Sequence, residues 1–334
     1  MNVSTFFYLL IKLSMNIDTK VFDWIGGKKW LSTTLNQKFN KILTYNSHVV
    51  NYIEPFCGSL GSVIGSIDTF KKHKIQRIIL NDINTNLINV YNCIKNTPNE
   101  LFTQLYNLET GHINLIPAEA FNLHKTNDKV VLKLLMQDAN NYYLNVRNQF
   151  NNLKDSKELD DVIISSAQFI FIMWRAFNGL YRENNSGKNN SPYGWNNKKI
   201  NLENRYQTIM EFHYFFNDMN VEFYNLNYNQ FIETFRKIGH ESLFYFDPPY
   251  LNQHIKENSY NKEGFNLDNQ VKLLNYVNNL DYIVYSNHYL DLFNNFFNQD
   301  KYEINKVFRK NIISSDNNSR INDAAEILVY TKTI

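Results

Sequence analysis

Only two cysteines, Cys57 and Cys93, occur in 334 residues, and they form neither a CxxC pair nor a Cys/His cluster. That excludes a disulfide framework and a structural zinc site, and it fits a reducing compartment. Long apolar runs are also missing. The amino-terminal stretch Phe6-Phe7-Tyr8-Leu9-Leu10-Ile11 is too short to span a bilayer, and no small-residue cleavage site follows it. A soluble intracellular protein is therefore expected, without a membrane partner or a metal. Charge of one sign is scarce: the net charge is +2, so any surface for a polyanion must be local. Gly26-Gly27-Lys28-Lys29 lacks the GxxxxGK[ST] spacing of a phosphate loop, which weighs against an NTPase. No linker or repeat stands out. The abundant asparagines run through ordered-looking segments and read as a coding bias towards A/T-rich codons.

What is present is a hydrophobic content of 43%, ample for a core, in a chain long enough for one large α/β domain and a smaller one. The stretch Leu243-Phe244-Tyr245-Phe246-Asp247-Pro248-Pro249-Tyr250 organises the rest. Four apolar or aromatic residues predict a short buried strand. Two prolines then stop the ladder and stiffen the turn. A stiff turn at the carboxyl end of a strand is where open α/β sheets hold ligands. This one offers a carboxylate (Asp247), a fixed carbonyl (Pro248) and an aromatic face (Tyr250), a set suited to an exocyclic amine on a flat ring.

Upstream, Val49 to Phe56 predicts a strand entering the glycine-rich turn Glu54-Pro55-Phe56-Cys57-Gly58-Ser59-Leu60-Gly61, with a helix expected over 62–70. Strand, glycine turn and helix open a nucleotide-binding α/β fold. A second strand, 76–80, ends at Asp82, which lies 24 residues beyond Gly58, near the spacing of a ribose-binding acid. A cap for the following helix is the other reading of Asp82. Residues 96 to about 215 interrupt the alternation with helices and a polar stretch, Trp174 to Lys188, then Ser191-Pro192-Tyr193-Gly194-Trp195. Its Arg, Asn and Lys side chains are types that read bases and phosphates, though a solvated loop has the same composition. Alternation resumes over 221–226, 229–238, 243–246, 266–278 and 282–287. Segments 302–308 and 326–331 are expected to close the sheet edge as an antiparallel pair.

In order, WIGGK, EPFCGSLG, LNDIN, FNGLYRENNSG, YFDPPY and YSNH resemble the Dam-like (α-type, D12 class) DNA adenine-N6 methyltransferases from about Val21 onward. The resemblance implies a doubly wound Rossmann-like methyltransferase sheet with an inserted, mainly helical DNA-recognition subdomain. The implied boundaries are an extension at 1–15, a catalytic domain at 16–95 and 216–334, and a target-recognition insert at 96–215. It implies S-adenosylmethionine held by Trp24, Gly26, Gly27, Lys28, Glu54, Phe56, Gly58, Asp82 and Asp247. Asp247, Pro248, Pro249 and Tyr250 would be catalytic. Arg175, Asn178, Arg182, Asn184 and Lys188 would contact double-stranded DNA. It further implies a monomer in the cytoplasm or on the nucleoid, with a cognate restriction endonuclease as a candidate partner and GATC as the family's best-known target.

Two departures stand out. Asn189 occupies a hairpin position where an aromatic is common in the family. Asn225-Leu226-Asn227 stands where an acid often contacts adenine. The rival readings are an RNA-base or protein-amide N-methyltransferase and a catalytically inactive DNA-binding regulator. Neither cysteine follows a proline, as a cytosine-C5 enzyme would require.

Overall fold

The computed structural model describes residues 21–22, 24, 28–124, 127–250, 265–289, 293, 296–309 and 324–333. The amino-terminal extension, Gly26 and Gly27 lie outside them. The chain forms two compact units. One contains residues 27–83 and 219–334, the other residues 1–26 and 84–218.

The first unit is built on a seven-stranded sheet in the order β3-β2-β1-β4-β5-β7-β6. The strands are β1 (Asn51–Glu54), β2 (Arg77–Asn81), β3 (Val221–Tyr224), β4 (Ser242–Phe246), β5 (Tyr282–His288), β6 (Tyr302–Arg309) and β7 (Ala324–Thr331). The first five are parallel; β7 runs antiparallel between β5 and β6. The expected antiparallel closing pair is present. Strand β4 is buried along its whole length between β1 and β5. That is why it reads as an unbroken apolar run, since both faces are covered. On one face Phe39, from the helix Ser32–Tyr45, packs edge-on against Tyr52 and Tyr245. On the other, Phe244 and Phe246 join a cluster with Phe231 and Phe235 of Tyr228–Phe235 and Leu273, Leu274 and Val277 of Leu267–Asn278. This is the α/β Rossmann-like arrangement expected.

The helix expected over 62–70 is two short helices, Gly61–Ile64 and Ile67–Lys72. At the break, a Cβ on Gly65 would stand 2.5 Å from Ser32 Cβ, so glycine permits the close approach of the neighbouring helix.

The second unit is mainly helical. Leu159–Arg175 lies at its centre, packed by Thr85–Asn96, Pro98–Ile113 and Gln137–Leu153, with Leu202–Asp218 against the first two of these. The helices 98–113 and 202–218 were not anticipated.

Candidate active site

β4 delivers Asp247 to the carboxyl end of the sheet, and the prolines end the strand there as expected. Asp247 Oδ1 lies 3.1 Å from Lys28 Nζ and accepts a hydrogen bond of 3.1 Å from Ser286 Oγ at the end of β5. Ser286 Oγ is in turn 2.8 Å from the Tyr245 hydroxyl. Lys28, only 5% exposed, also donates to Glu326 Oε2 at 3.0 Å. Glu326 Oε1 accepts from the Tyr250 hydroxyl at 2.8 Å, and Lys28 Nζ stands 4.4 Å from the centre of the Tyr250 ring. Lys28 thus bridges two carboxylates and lies over an aromatic face, where its charge is attracted by all three. Burial raises the Asp247 carboxyl to about 6, opposed by Lys28 and assisted by the charge of Glu326.

Sequence reasoning found Asp247, Tyr250 and Lys28, but it assigned Lys28 to cofactor binding alone. It missed Glu326, Ser286 and Tyr245 as members of this network. The YSNH stretch did hold the signal for Ser286.

The glycine turn after β1 is nearby in the same unit. Gly58 has φ of 43° and Leu60 of 62°, so the chain curls back before the helix starting at Gly61. Gly58 N–H donates to Asp82 Oδ2 at 3.1 Å. The cap of the next helix is Asn84, whose side chain accepts from Leu87 N–H at 3.0 Å, so the capping role weighed for Asp82 is taken by another residue. Asn225 donates its amide to the carbonyls of Asp82 and Ile83, at 2.8 and 3.0 Å, and so braces the same corner. Phe56 packs against Tyr228 and Phe265. Glu54 is 2% exposed and sits beneath the turn, bonded to Ser62 Oγ (2.7 and 2.8 Å) and to the Tyr52 hydroxyl (2.8 Å). Burial raises its carboxyl to about 8. Ser59 Oγ is buried with no hydrogen-bond partner among the described residues. Trp24 belongs to the helical unit, packed against Phe22, Phe169 and Tyr181.

In the helical unit, residues 175–194 form a hairpin closed by antiparallel bridges at Ala176–Tyr193 and Glu183–Asn189. Helix 137–153 and the residue after it grip its backbone. Tyr143 and Arg147 donate to Ser191 O (3.0 and 2.9 Å), Asn151 bonds both ways with Asn189, and Lys154 reaches Gly187 O. Tyr193 anchors the base through His112 Nε2 at 2.7 Å. Asn178, Arg182, Asn184 and Lys188 are exposed as a nucleic-acid contact requires. The Asn184 side chain is nevertheless committed to the turn, accepting from the Ser186 and Lys188 amides at 3.0 Å each.

Arg175 departs from its expectation as a DNA contact. It is fully buried, ion-paired with Glu109 through Nη2 and through Nε at 3.0 Å, and donates to the Asn196 and Lys198 carbonyls at 3.1 Å each. An enclosed guanidinium with these partners secures the base of the hairpin instead. Asn189, where an aromatic was noted as common, is buried and serves the same fastening.

A family model described as D12 class N6 adenine-specific DNA methyltransferase matches residues 24–318. The chain belongs to that family. The methyltransferase is similar to the type II methyltransferase M.MjaIII of Methanocaldococcus jannaschii, 29% identical over 319 residues, which cover 92% of this chain and 96% of the relative. The DNA adenine methylase of Vibrio cholerae is 30% identical over 252 residues, 75% of this chain and 72% of that one. A third, the type II methyltransferase M1.LlaDCHI of Lactococcus lactis, is 26% identical over 77% of this chain and 75% of its own. The protein is accordingly an adenine-specific DNA methyltransferase, with DNA as substrate. Among the described residues no helix is long and apolar enough to cross a membrane, and no group of three or more His, Cys, Asp or Glu side chains could hold a metal.

Proposed function

We propose that the methyltransferase moves a methyl group from S-adenosylmethionine to N6 of an adenine turned out of a short duplex site. In this reading Asp247 to Tyr250 bind the adenine, and the helical unit contributes the reading hairpin. The observation that carries it is the Asp247 carboxylate held at the carboxyl end of β4 by Lys28 and Ser286, beside a proline-stiffened turn ending in Tyr250.

An adenine amino group is a poor nucleophile because its lone pair is delocalised into the ring, and inside a duplex it is unreachable. Tyr250 stacks on the extruded base. Asp247, ionised above about pH 6, and the Pro248 carbonyl accept the two N6–H bonds. This draws the nitrogen towards tetrahedral geometry and aims its lone pair; Asp247 takes the proton shed as the new N–C bond forms. The donor, when bound, supplies a methyl group on a sulfonium, already activated for transfer. What the protein adds is positioning, worth up to roughly 7–11 kcal/mol in favourable cases.

The residues suit such a donor. Asp82 beside the Gly58 turn offers a carboxylate for ribose hydroxyls, and the buried Ser59 hydroxyl is unpartnered. Asp247 and Glu326 outnumber Lys28, leaving excess negative charge that favours a cationic sulfonium. On the hairpin, Arg182 and Lys188 meet phosphate or base edges, with Asn178 beside them. The target to test first is GATC. A monomeric enzyme paired with a restriction endonuclease is part of this proposal, supported by relatives named as type II methyltransferases.

The test is transfer of a labelled methyl group from S-adenosylmethionine to unmodified duplex DNA, with Asp247→Ala alongside and the sites mapped by single-molecule sequencing. N6-methyladenine at one short motif, lost in the variant while donor binding persists, supports the reading. Near-wild-type turnover by Asp247→Ala would overturn the catalytic assignment. Donor binding with transfer only to RNA or protein would redirect the substrate, and neither binding nor transfer would favour an inactive regulator.

A further inference from the structure

Glu326 stands 76 residues beyond Tyr250 and 298 beyond Lys28, yet touches both. It lies on β7, in register with His288 at the end of β5 and Val307 on β6. Because β7 runs antiparallel to β5, its amino-terminal portion reaches the carboxyl end of the parallel strands, where Asp247 emerges. Its two carboxylate oxygens are divided: Oε1 accepts from the Tyr250 hydroxyl at 2.8 Å, Oε2 from Lys28 Nζ at 3.0 Å. The side chain is 6% exposed, so water competes little for either bond.

We propose that Glu326 is a positioning residue of the methyl-transfer reaction, fixing the ring of Tyr250 through its hydroxyl and sharing Lys28 with Asp247. This rests on the reading of Asp247–Tyr250 as the catalytic turn. A tyrosine in a loop has two soft side-chain torsions. Tethering its hydroxyl removes that freedom before a base arrives, so less ordering remains to be done on binding. Lys28, pulled by Glu326 on one side and Asp247 on the other, cannot collapse fully onto Asp247. The aspartate thereby keeps capacity to accept from an incoming amine.

Among the described residues, the groups that act on Asp247 include Lys28, Glu54 of β1, Tyr245 of β4, Tyr285 and Ser286 of β5, and Glu326 of β7, with the Tyr250 ring beneath Lys28. Of these, Glu326 and Lys28 are the charged pair that one isosteric change uncouples. In Glu326→Gln the negative charge is gone, Lys28 turns wholly to Asp247, and the carboxyl of Asp247 titrates lower.

The experiment measures kcat, KM for donor and DNA, and the pH profile of kcat/KM for wild type and Glu326→Gln. Thermal melting serves as the folding control. The expected result is a fall in kcat of about 10–100-fold with little change in either KM, and an acid limb displaced to lower pH. A double-mutant cycle of Glu326→Ala with Tyr250→Phe should be non-additive, the second change costing little once the first is made. An acid limb that stays in place, or strictly additive losses, overturns the inference. Fluorescence of a 2-aminopurine at the target adenine gives a readout without turnover: weaker enhancement in Glu326→Ala at saturating DNA supports a loosened Tyr250, and unchanged enhancement refutes it. If Asp247→Ala remains active, the catalytic reading itself fails. If Asp247→Ala is inactive and Glu326→Gln behaves as wild type, only the positioning role fails.

Discussion

Replacing Glu54 by glutamine should leave stability nearly unchanged in mild acid and make the variant increasingly more stable than wild type as the pH rises. Glu54 is buried beneath the glycine turn, and desolvation raises its carboxyl from an ordinary 4.5 to about 8. A carboxyl raised in the folded state binds a proton that the unfolded chain has released between those two values. Folding is therefore penalised progressively from about pH 4.5 to about pH 8, beyond which the penalty is constant. Each unit of separation corresponds to 1.36 kcal/mol, so wild type should lose about 2 kcal/mol relative to the variant between about pH 6 and about pH 8. In the structure Ser62 Oγ and the Tyr52 hydroxyl both donate to Glu54; a glutamine there keeps an oxygen that accepts from Tyr52 and turns an amide N–H towards the Ser62 hydroxyl oxygen, without titrating. Urea unfolding of both proteins across that range gives the difference directly. A stability difference that is flat with pH, or one that narrows towards alkali, would refute the protonated state assigned to Glu54.

The remaining expectations concern the turn and the hairpin. Under the proposed role of Asp247, whose carboxyl burial lifts to about 6, the rate at low substrate should climb as pH rises through that value; a pH–rate profile without an acid limb there would contradict this. Arg175→Met should destabilise the helical unit by roughly 3–5 kcal/mol, since it leaves Glu109 buried and unpaired, and the restoring change is Glu109→Gln in the same chain. Denaturation midpoints of the single and double variants check both. Gly194→Ala should cost about 1–3 kcal/mol, because a Cβ there would meet Ala176 O at 2.7 Å. Lys188→Ala should weaken DNA binding across sequences and reduce the salt slope by about one, read from affinity titrations at several salt concentrations.

Strands β1, β2 and β4 and the Asp247–Tyr250 turn were legible because each of these strands lies in a short apolar run cut by proline, glycine or Asn-Asp, a pattern that requires only neighbours in sequence. The helices Pro98–Ile113 and Leu202–Asp218 were not, because polar residues dilute their apolar stripe and Gly111 sits inside the first. Spacing from Gly58 singled out Asp82 but left capping of the next helix open, and the structure gives that cap to Asn84 while Asp82 accepts from Gly58 N–H. Arg175 misled for a physical reason. It borders a polar stretch rich in base-reading residues, yet it ends a helix whose preceding five residues, Ile170 to Trp174, are apolar, and its partner Glu109 is 66 residues away. Long-range pairing of that kind, like Glu326 with Tyr250, leaves no local periodicity to read.

The hairpin is fastened through its backbone and exposes a separate set of side chains. Its backbone is secured from behind by Tyr143, Arg147, Asn151 and Lys154, while Arg182, Asn185, Ser186, Lys188 and Asn190 face outward. Outward side chains can then be exchanged one at a time without unsettling the frame that presents them. Under the proposed DNA-reading role, such a separation would make target preference a mutable trait on a fixed scaffold, open to drift or to selection by an experimenter. Randomising those outward positions alone is the natural library from which to seek enzymes with altered sites.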